Sequence, residues 1–444
     1  MERFDVIVIG TGVAGQTAAG ELAAAGKRVA VVDKREFGGT CALRGCEPKK
    51  VLFTAAEVAE RAAAQAGNGL SGAVRLDWQS LIAFKRTFTD SVPQAIEQWL
   101  TASGVATLHG PARFISEAAL DVDGRQYAAE HFVIATGAVS RDLGIPGAEQ
   151  VTDSEGFMAA ETLGDRVAFI GGGYISFEFA HMAAAAGARV VVLHRGARVL
   201  EGFDPDLAEM LARSYRDAGV EIRTGALVSE IRSAGGALEI VCGDGDIVAC
   251  DMAVHGAGRV PDLEGLDLEA AGVAYGPRGI DTDSSMRSAT NPRVYAAGDA
   301  AALGIPLTPV GIAQARVVVA NILKPDSTTF SPVATPSVVF SDPPLASVGL
   351  TEEQARERGL DVDVKLADTT EWASSRRVGQ RASGAKTIVE RGSGRIVGAH
   401  LLGHGAEEVI NVFAAAIAGG LTASDLKGAL WAYPTASSDI VYLL

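Results

Sequence analysis

Cys41 and Cys46 lie five residues apart in the stretch Gly38-Gly39-Thr40-Cys41-Ala42-Leu43-Arg44-Gly45-Cys46-Glu47-Pro48-Lys49-Lys50. On a regular helix this spacing leaves two side chains ~140° away from facing each other and ~7.5 Å apart in rise. A disulfide needs Cα atoms about 5–6 Å apart. The pair can therefore bridge only where the helical turn is distorted, and Gly45 supplies that latitude. A helix N-terminus also lowers a thiol pKa, which favours the reactive thiolate. A metal site is a rival reading, but no further Cys or His lies nearby to complete four ligands. Two inert buried thiols are the other. The flanking residues favour redox work.

Two glycine turns could hold dinucleotides. Gly10, Gly12 and Gly15 stand in G-x-G-x-x-G spacing between an apolar run at 6–9 and an alanine-rich helical stretch ending at Gly26. Residues 28–32 read as the next strand, and Asp33 closes it, 18 residues after Gly15. A carboxylate there can accept hydrogen bonds from a ribose 2′-OH, while the helix N-terminus receives the pyrophosphate. The same grammar returns about 160 residues later: an apolar run at 167–170, then Gly171, Gly173 and Ser176, a helix to 186, and a strand at 189–193. This second strand ends on His194 and Arg195, with no acid. An acid favours NAD and cations accommodate a 2′-phosphate, so Arg195, with Arg198, points to NADPH over NADH.

Around these turns the chain reads as a globular α/β protein. It has 444 residues, 48% of them hydrophobic and 21% charged, enough apolar material to exclude wholesale disorder. Lys and Arg number 39 against 54 Asp and Glu, a net charge of −15. Such a balance argues against a nucleic-acid or anionic-membrane partner. The longest stretch free of charge, 409–424, is shorter than the ~20 residues of a membrane span. With no secretory pattern and four cysteines, the sequence predicts a cytoplasmic protein. Residues 51–66 and 79–100 read as helical, and an Asp123-Gly124 turn within 114–132 reads as a hairpin. Gly243-Asp244-Gly245 predicts another within 238–253; Cys242 and Cys250 flank it and could face each other across the strands, with reduced, packed thiols the favoured reading. His181 reads as helix surface or packing, 324–336 as a linker, and Val409, Phe413, Ala416 and Ile417 as one face of a helix.

The chain resembles the pyridine nucleotide-disulfide oxidoreductases over essentially its whole length. The resemblance rests on the first glycine turn, the G-G-T-C-x4-G-C-x-P-K stretch, Ala135-Thr136-Gly137, Gly171-Gly172-Gly173-Tyr174-Ile175 with Glu178, Gly258-Arg259 and Ala297-Gly298-Asp299. It implies two Rossmann-type domains plus an α+β dimerisation domain. FAD would occupy 1–140 and 263–330, NAD(P)H 141–262, and 331–444 would form a homodimer. Asp33 would hold the adenosine ribose and Asp299 the ribityl chain. Lys49 and Glu178 would pair beside the flavin, with Tyr174 as a lid over the nicotinamide pocket. Cys46 would face the flavin and Cys41 attack substrate. Val13, Ala14, Lys34, Gly39, Thr40, Ala112, Thr136 and Gly137 would complete the FAD site; Gly171, Gly173, Ile175, His194, Arg195 and Gly258 would serve the nicotinamide cofactor.

One departure stands out. Disulfide reductases of this family carry His-Pro-Thr-x-x-Glu near the C-terminus, the His acting as acid/base for the thiols. This chain has Tyr433-Pro434-Thr435-Ala436-Ser437-Ser438-Asp439. A phenol of pKa ~10 is a poorer proton shuttle at neutral pH than an imidazole at ~6.5. The sequence thus predicts an FAD-dependent, NADPH-oxidising enzyme with a redox-active Cys41–Cys46 disulfide and glutathione disulfide, or a related disulfide, as acceptor. A quinone or metal ion, or a slow redox-sensing role, are the alternatives.

Overall fold

The computed structural model describes residues 1–243 and 245–444; Asp244, in the expected hairpin turn, lies outside the described residues. The chain divides into two compact units, 1–49 with 83–141 and 259–332, and 50–82 with 142–258 and 333–444.

The first unit is built on a sheet in the order Ala106–His109, Val29–Asp33, Glu2–Ile9, Arg125–Ile134, Ala119–Val122, Ala112–Ser116, with Val294–Ala296 also pairing to Arg125–Ile134. Glu2–Ile9 runs parallel to both neighbours. Val6, Ile7, Val8 and Ile9 are buried one after another, as strands covered on both faces must be. The chain leaves this strand through the first glycine turn into helix Val13–Ala24, which packs against helix Thr308–Leu323. The Asp123-Gly124 hairpin is present between Ala119–Val122 and Arg125–Ile134, both turn residues at positive φ (48° and 79°), the geometry an Asp-Gly two-residue turn favours. The helical stretch expected at 79–100 is two helices, Trp78–Thr89 and Val92–Ala102. Pro93 in the first turn of the second explains why the chain restarts there. Phe330, within the expected linker, is buried in this unit's core.

The second unit repeats the pattern on a parallel sheet in the order Glu221–Thr224, Arg189–His194, Arg166–Ile170, Met252–His255. A three-stranded antiparallel sheet follows, Val228–Ala234, Ala237–Cys242, Ile247–Cys250. Its register agrees with packed, unpaired thiols at Cys242 and Cys250. Val241 pairs with Ile247 and Cys250 with Leu238, so Cys250 stands opposite a residue four positions from Cys242. At about 3.4 Å per residue that offset is far beyond disulfide reach. Both thiols are buried, and burial pushes Cys250 up to about 11.

A five-stranded antiparallel sheet completes this unit, in the order Ser337–Val339, Leu345–Gly349, Ile396–Leu402, Gly384–Glu390, Val362–Asp368. Helix Ala406–Ala418 covers it with Val409, Ile410, Phe413 and Ala416 buried. Among the described residues, no helix is long and apolar enough to cross a membrane.

Candidate functional site

The helix is broken where the cysteine spacing requires it. Helix Gly39–Arg44 carries Cys41 and ends at Gly45, and helix Cys46–Ala64 starts on the second cysteine. Gly45 sits so close to the preceding turn that a Cβ would lie 2.9 Å from the Thr40 carbonyl oxygen. Cys41 is half-buried and Cys46 exposed. Lys49 follows in the first turn of the new helix, its N–H donating to the Gly45 carbonyl at 3.0 Å.

Thr308 comes to the same place from 267 residues away. Its hydroxyl donates to Cys41 Sγ at 3.3 Å and lies 3.5 Å from Cys46 Sγ, so one oxygen touches both sulfurs. Thr308 opens a 16-residue helix that has no side-chain cap and no acid in its first turn. Unsatisfied N–H groups at such an end favour negative charge nearby. Against this, the hydrogen bond to Cys46 pushes the Cys41 thiol far up, with burial and the charge of an ionised Cys46 adding to it; Thr308 opposes the shift.

Thr308 is the residue that sequence reasoning missed. A Thr-Pro pair ahead of an apolar run marks a helix start, but nothing in the sequence places it beside Cys41. Hydrogen bonds to charged groups contribute about 1.5–3 kcal/mol. Thr308→Val is therefore expected to slow alkylation of Cys41 at neutral pH by about tenfold and to move its pH profile upward. An unchanged profile would remove the hydroxyl from the account.

The first glycine turn has the shape a dinucleotide needs. Gly10 has φ of 106°, and a Cβ there would lie 2.3 Å from the Ala135 carbonyl oxygen. Gly15 packs as tightly on Gly10, and Gly39 on Gly12. By contrast, a Cβ at Gly12 would meet nothing within 4 Å, and Gly12 leads into an uncapped helix on Val13 and Ala14. Asp33 Oδ2 accepts from Thr11 N at 2.7 Å and Thr11 Oγ1 at 2.6 Å, and Oδ1 accepts from Arg35 N at 3.0 Å. Asp33 thus braces the turn, and a ribose hydroxyl would share it. Lys34 is paired with Asp262 at 2.8 Å, and Ala112 is buried in its strand.

Two further groups await a partner of FAD's chemistry. Thr136 Oγ1, next to Gly137, is buried without a hydrogen-bond partner among the described residues. Asp299, in the short turn Gly298–Ala300, has its carboxyl pushed up by burial, with Arg259 opposing. An open glycine, an uncapped helix end, an orphaned hydroxyl and a buried carboxyl fit a pyrophosphate and polyol chain.

The second unit carries the other turn. Gly171, at φ of 107°, packs against Gly256, and Gly173 leads uncapped into helix Tyr174–Ala185. Ser176 replaces the third glycine, and Gly256 makes room for it: a Cβ at Gly256 would lie 2.0 Å from Ser176 Oγ. Tyr174 is half-exposed and Ile175 partly buried at the helix start, Glu178 is buried, and Glu178 Oε1 accepts from Phe340 N at 2.9 Å. Gly258 follows this sheet at φ of 111°.

His194 has a structural contact in the turn itself. Gly172 N donates to its Nδ1 at 3.1 Å, which fixes the ring as the neutral Nε2–H tautomer, and Glu201 lies 3.6 Å from Nε2. The imidazole braces the turn, leaving exposed Arg195 and Arg198 as the cations at this strand end.

Tyr433 is 87% exposed in the second unit. Ser438, at the expected Glu position, donates to Thr435 O at 2.6 Å and closes a turn. It does not orient residue 433.

Comparison with known proteins agrees with this arrangement. Residues 4–315 match the family described as pyridine nucleotide-disulphide oxidoreductase, and residues 335–443 match its dimerisation domain. Glutathione reductase of Burkholderia cepacia is 33% identical over 442 residues, covering 99% of this chain and 98% of that one. Mycothione reductase of Mycobacterium tuberculosis is 32% identical over 451 residues, covering 98% and 97%. Among solved structures, the Cu(II) complex of the HOCl-induced flavoprotein disulfide reductase RclA from Escherichia coli superposes with a TM-score of 0.90 at 29% identity, over 100% of this chain and 99% of that one. FAD and NAD(P)H are the cofactors of such enzymes. The chain belongs to the pyridine nucleotide-disulphide oxidoreductase family.

Proposed function

We propose that the protein oxidises NADPH through FAD and the Cys41–Cys46 pair, and delivers the electrons from Cys41 to a small disulfide. The observation that carries this reading is the Thr308 hydroxyl in contact with both sulfurs at the helix break. Bound FAD would supply hydride acceptance from the nicotinamide and return of two electrons to the disulfide. Gly12, Asp33, Thr136 and Asp299 would hold it, and Gly171, Gly173 and Tyr174 the nicotinamide cofactor. Lys49, in the helix that starts on Cys46, would lie beside the flavin ring.

The thiol steps balance without further reagents. Cys41, once deprotonated, attacks one sulfur of the acceptor, forming a mixed disulfide and releasing one thiolate, which takes a proton. Cys46 then attacks the Cys41 sulfur, re-forming Cys41–Cys46 and releasing the second thiolate. The acceptor gains two electrons and the dithiol loses two. A homodimer is part of the proposal, supported by the dimerisation-domain match and by exposed Leu430, Tyr433 and Tyr442 within it. So is a cytoplasmic location, where thiols are kept reduced.

A second reading, a metal ion such as Cu(II) as acceptor, is favoured by the Cu(II) complexes of the RclA structures and by Tyr433. Two Cu(II) ions would take one electron each, with the disulfide formed and the thiol protons released to water. Steady-state NADPH oxidation with glutathione disulfide, Cu(II) and a quinone decides between the readings. No acceptor-dependent oxidation with any of them would refute both.

Coenzyme choice is a further test. A charge-assisted phosphate contact contributes about 1.5–3 kcal/mol. Arg195, exposed at this strand end, would supply that contact. The expected kcat/KM preference for NADPH over NADH is about tenfold or more, largely lost in Arg195→Ala. Equal use of both coenzymes, unchanged by the substitution, would make Arg195 a solvated loop cation.

A further inference from the structure

Strand Arg189–His194 ends without an acid of its own, yet the fold brings one back to it. Residues 195–201 are tied onto the second glycine turn through both backbone groups of Gly172. Gly172 N donates to His194 Nδ1 at 3.1 Å, and Leu200 N donates to Gly172 O at 2.8 Å. Gly225 N holds the near end of the segment, donating to Gly196 O at 2.9 Å. Leu200 is buried with a φ of 53°. A bulky residue in this left-handed region is uncommon, and it persists where the surroundings hold it. Here it reverses the chain, and Glu201 Oε1 comes to lie 3.6 Å from His194 Nε2. A Cβ at Gly196 would lie 2.6 Å from each of those two atoms, so only glycine leaves the carboxylate room.

Glu201 is open to a ligand where His194 is not: its side chain is 63% exposed, against 15% for the imidazole. Their separation is longer than a hydrogen bond, so the acceptor sites of the carboxylate remain available. Arg195 and Arg198 are exposed in the same segment, and neither makes an ion pair among the described residues. Two cations and one carboxylate therefore share the end of the strand where a Rossmann unit holds the adenosine ribose. Cations there accommodate a 2′-phosphate, whereas an acid accepts from a 2′-hydroxyl. An acid also repels the phosphate.

We propose that Glu201 is a specificity-determining residue of the coenzyme site. Its carboxylate accepts the ribose 2′-hydroxyl of NADH and opposes the 2′-phosphate of NADPH, so that NADH stays in use as a second coenzyme. This role rests on the oxidoreductase reading and on the Arg195 contact within it: Arg195 sets the preference for NADPH, and Glu201 limits it. The acid stands seven residues past His194 in the chain, and only the fold of 195–201 returns it to the strand end.

Rapid-mixing reduction of the bound flavin by each coenzyme tests this, in the unmodified holoenzyme and in Glu201→Gln. The amide keeps the size of the side chain and removes its charge. The apparent Kd should fall for NADPH and rise for NADH, moving their ratio toward NADPH by about tenfold, the worth of one charge-assisted contact. Calorimetry with 2′,5′-ADP and 5′-AMP isolates the ribose end: Glu201→Gln should tighten the first and weaken the second. A carboxylate that merely braced His194 would, on removal, weaken both coenzymes alike. An unmoved ratio, a shift toward NADH, or an unmodified enzyme that NADH does not reduce would overturn the role of Glu201 and leave the oxidoreductase reading standing. No reduction by either coenzyme would instead sink that reading, and the calorimetric contrast between the two nucleotides would still decide for or against Glu201.

Discussion

Turnover with glutathione disulfide is expected to lag the reduction of the enzyme by NADPH by about 10²–10⁴-fold, the range general acid–base catalysis contributes. The proton on Cys41 is the reason. Its hydrogen bond to Cys46 holds the thiol far above its ordinary value, and only the thiolate attacks a disulfide. An imidazole can take such a proton at neutral pH, whereas this chain carries a tyrosine where disulfide reductases of the family carry that histidine. Tyr433→His should therefore raise disulfide turnover by about tenfold or more and leave reduction by NADPH nearly unchanged. The gain should be partial, because Ser438 is engaged with Thr435 and supplies no orienting carboxylate. Rapid-mixing measurement of both half-reactions checks this. Glutathione disulfide turnover as fast as NADPH reduction in the unmodified enzyme would refute it.

The largest expected effect on stability lies at Lys386. Its side chain is 4% exposed and pairs with Asp204 at 3.2 Å, Asp206 at 2.7 Å and Glu352 at 3.0 Å. Asp204 is fully buried and also caps helix Pro205–Asp217, accepting from Asp206 N and Leu207 N. Those ion pairs hold the helix start to strand Gly384–Glu390. Removing one partner of a buried ion pair costs about 3–5 kcal/mol, because a charge is left buried without compensation. Lys386→Met should lower the denaturation midpoint accordingly, and Asp204→Asn in the same chain should return part of the loss. A loss below about 1 kcal/mol would mean that water already solvates these carboxylates.

Local chemistry was the legible part of this molecule. The glycine turns, the Asp123-Gly124 hairpin and the broken helix at Gly45 each follow from a conformational demand written within a dozen residues. Residues far apart in sequence behaved otherwise. Cys242 and Cys250 look symmetric about their turn, yet the strand register separates them. His181, read as helix surface or packing, is buried between Glu60 and Phe53, which come from a helix more than a hundred residues earlier. Thr308 and Cys41, and Lys386 and Asp204, meet across longer separations still. Their meeting depends on how helices and sheets pack, and periodicity carries no record of that.

Electron flow from NADPH through Cys41 and Cys46 is read by differential alkylation and mass spectrometry. Oxidised holoenzyme, denatured and alkylated, should yield Cys41 and Cys46 unlabelled and joined, with Cys242 and Cys250 labelled. After anaerobic addition of one equivalent of NADPH, all four should label, and a following addition of acceptor should return only Cys41 and Cys46 to the joined form. Labelling of Cys41 and Cys46 that is indifferent to NADPH, with FAD bound, would mean that the pair carries no electrons.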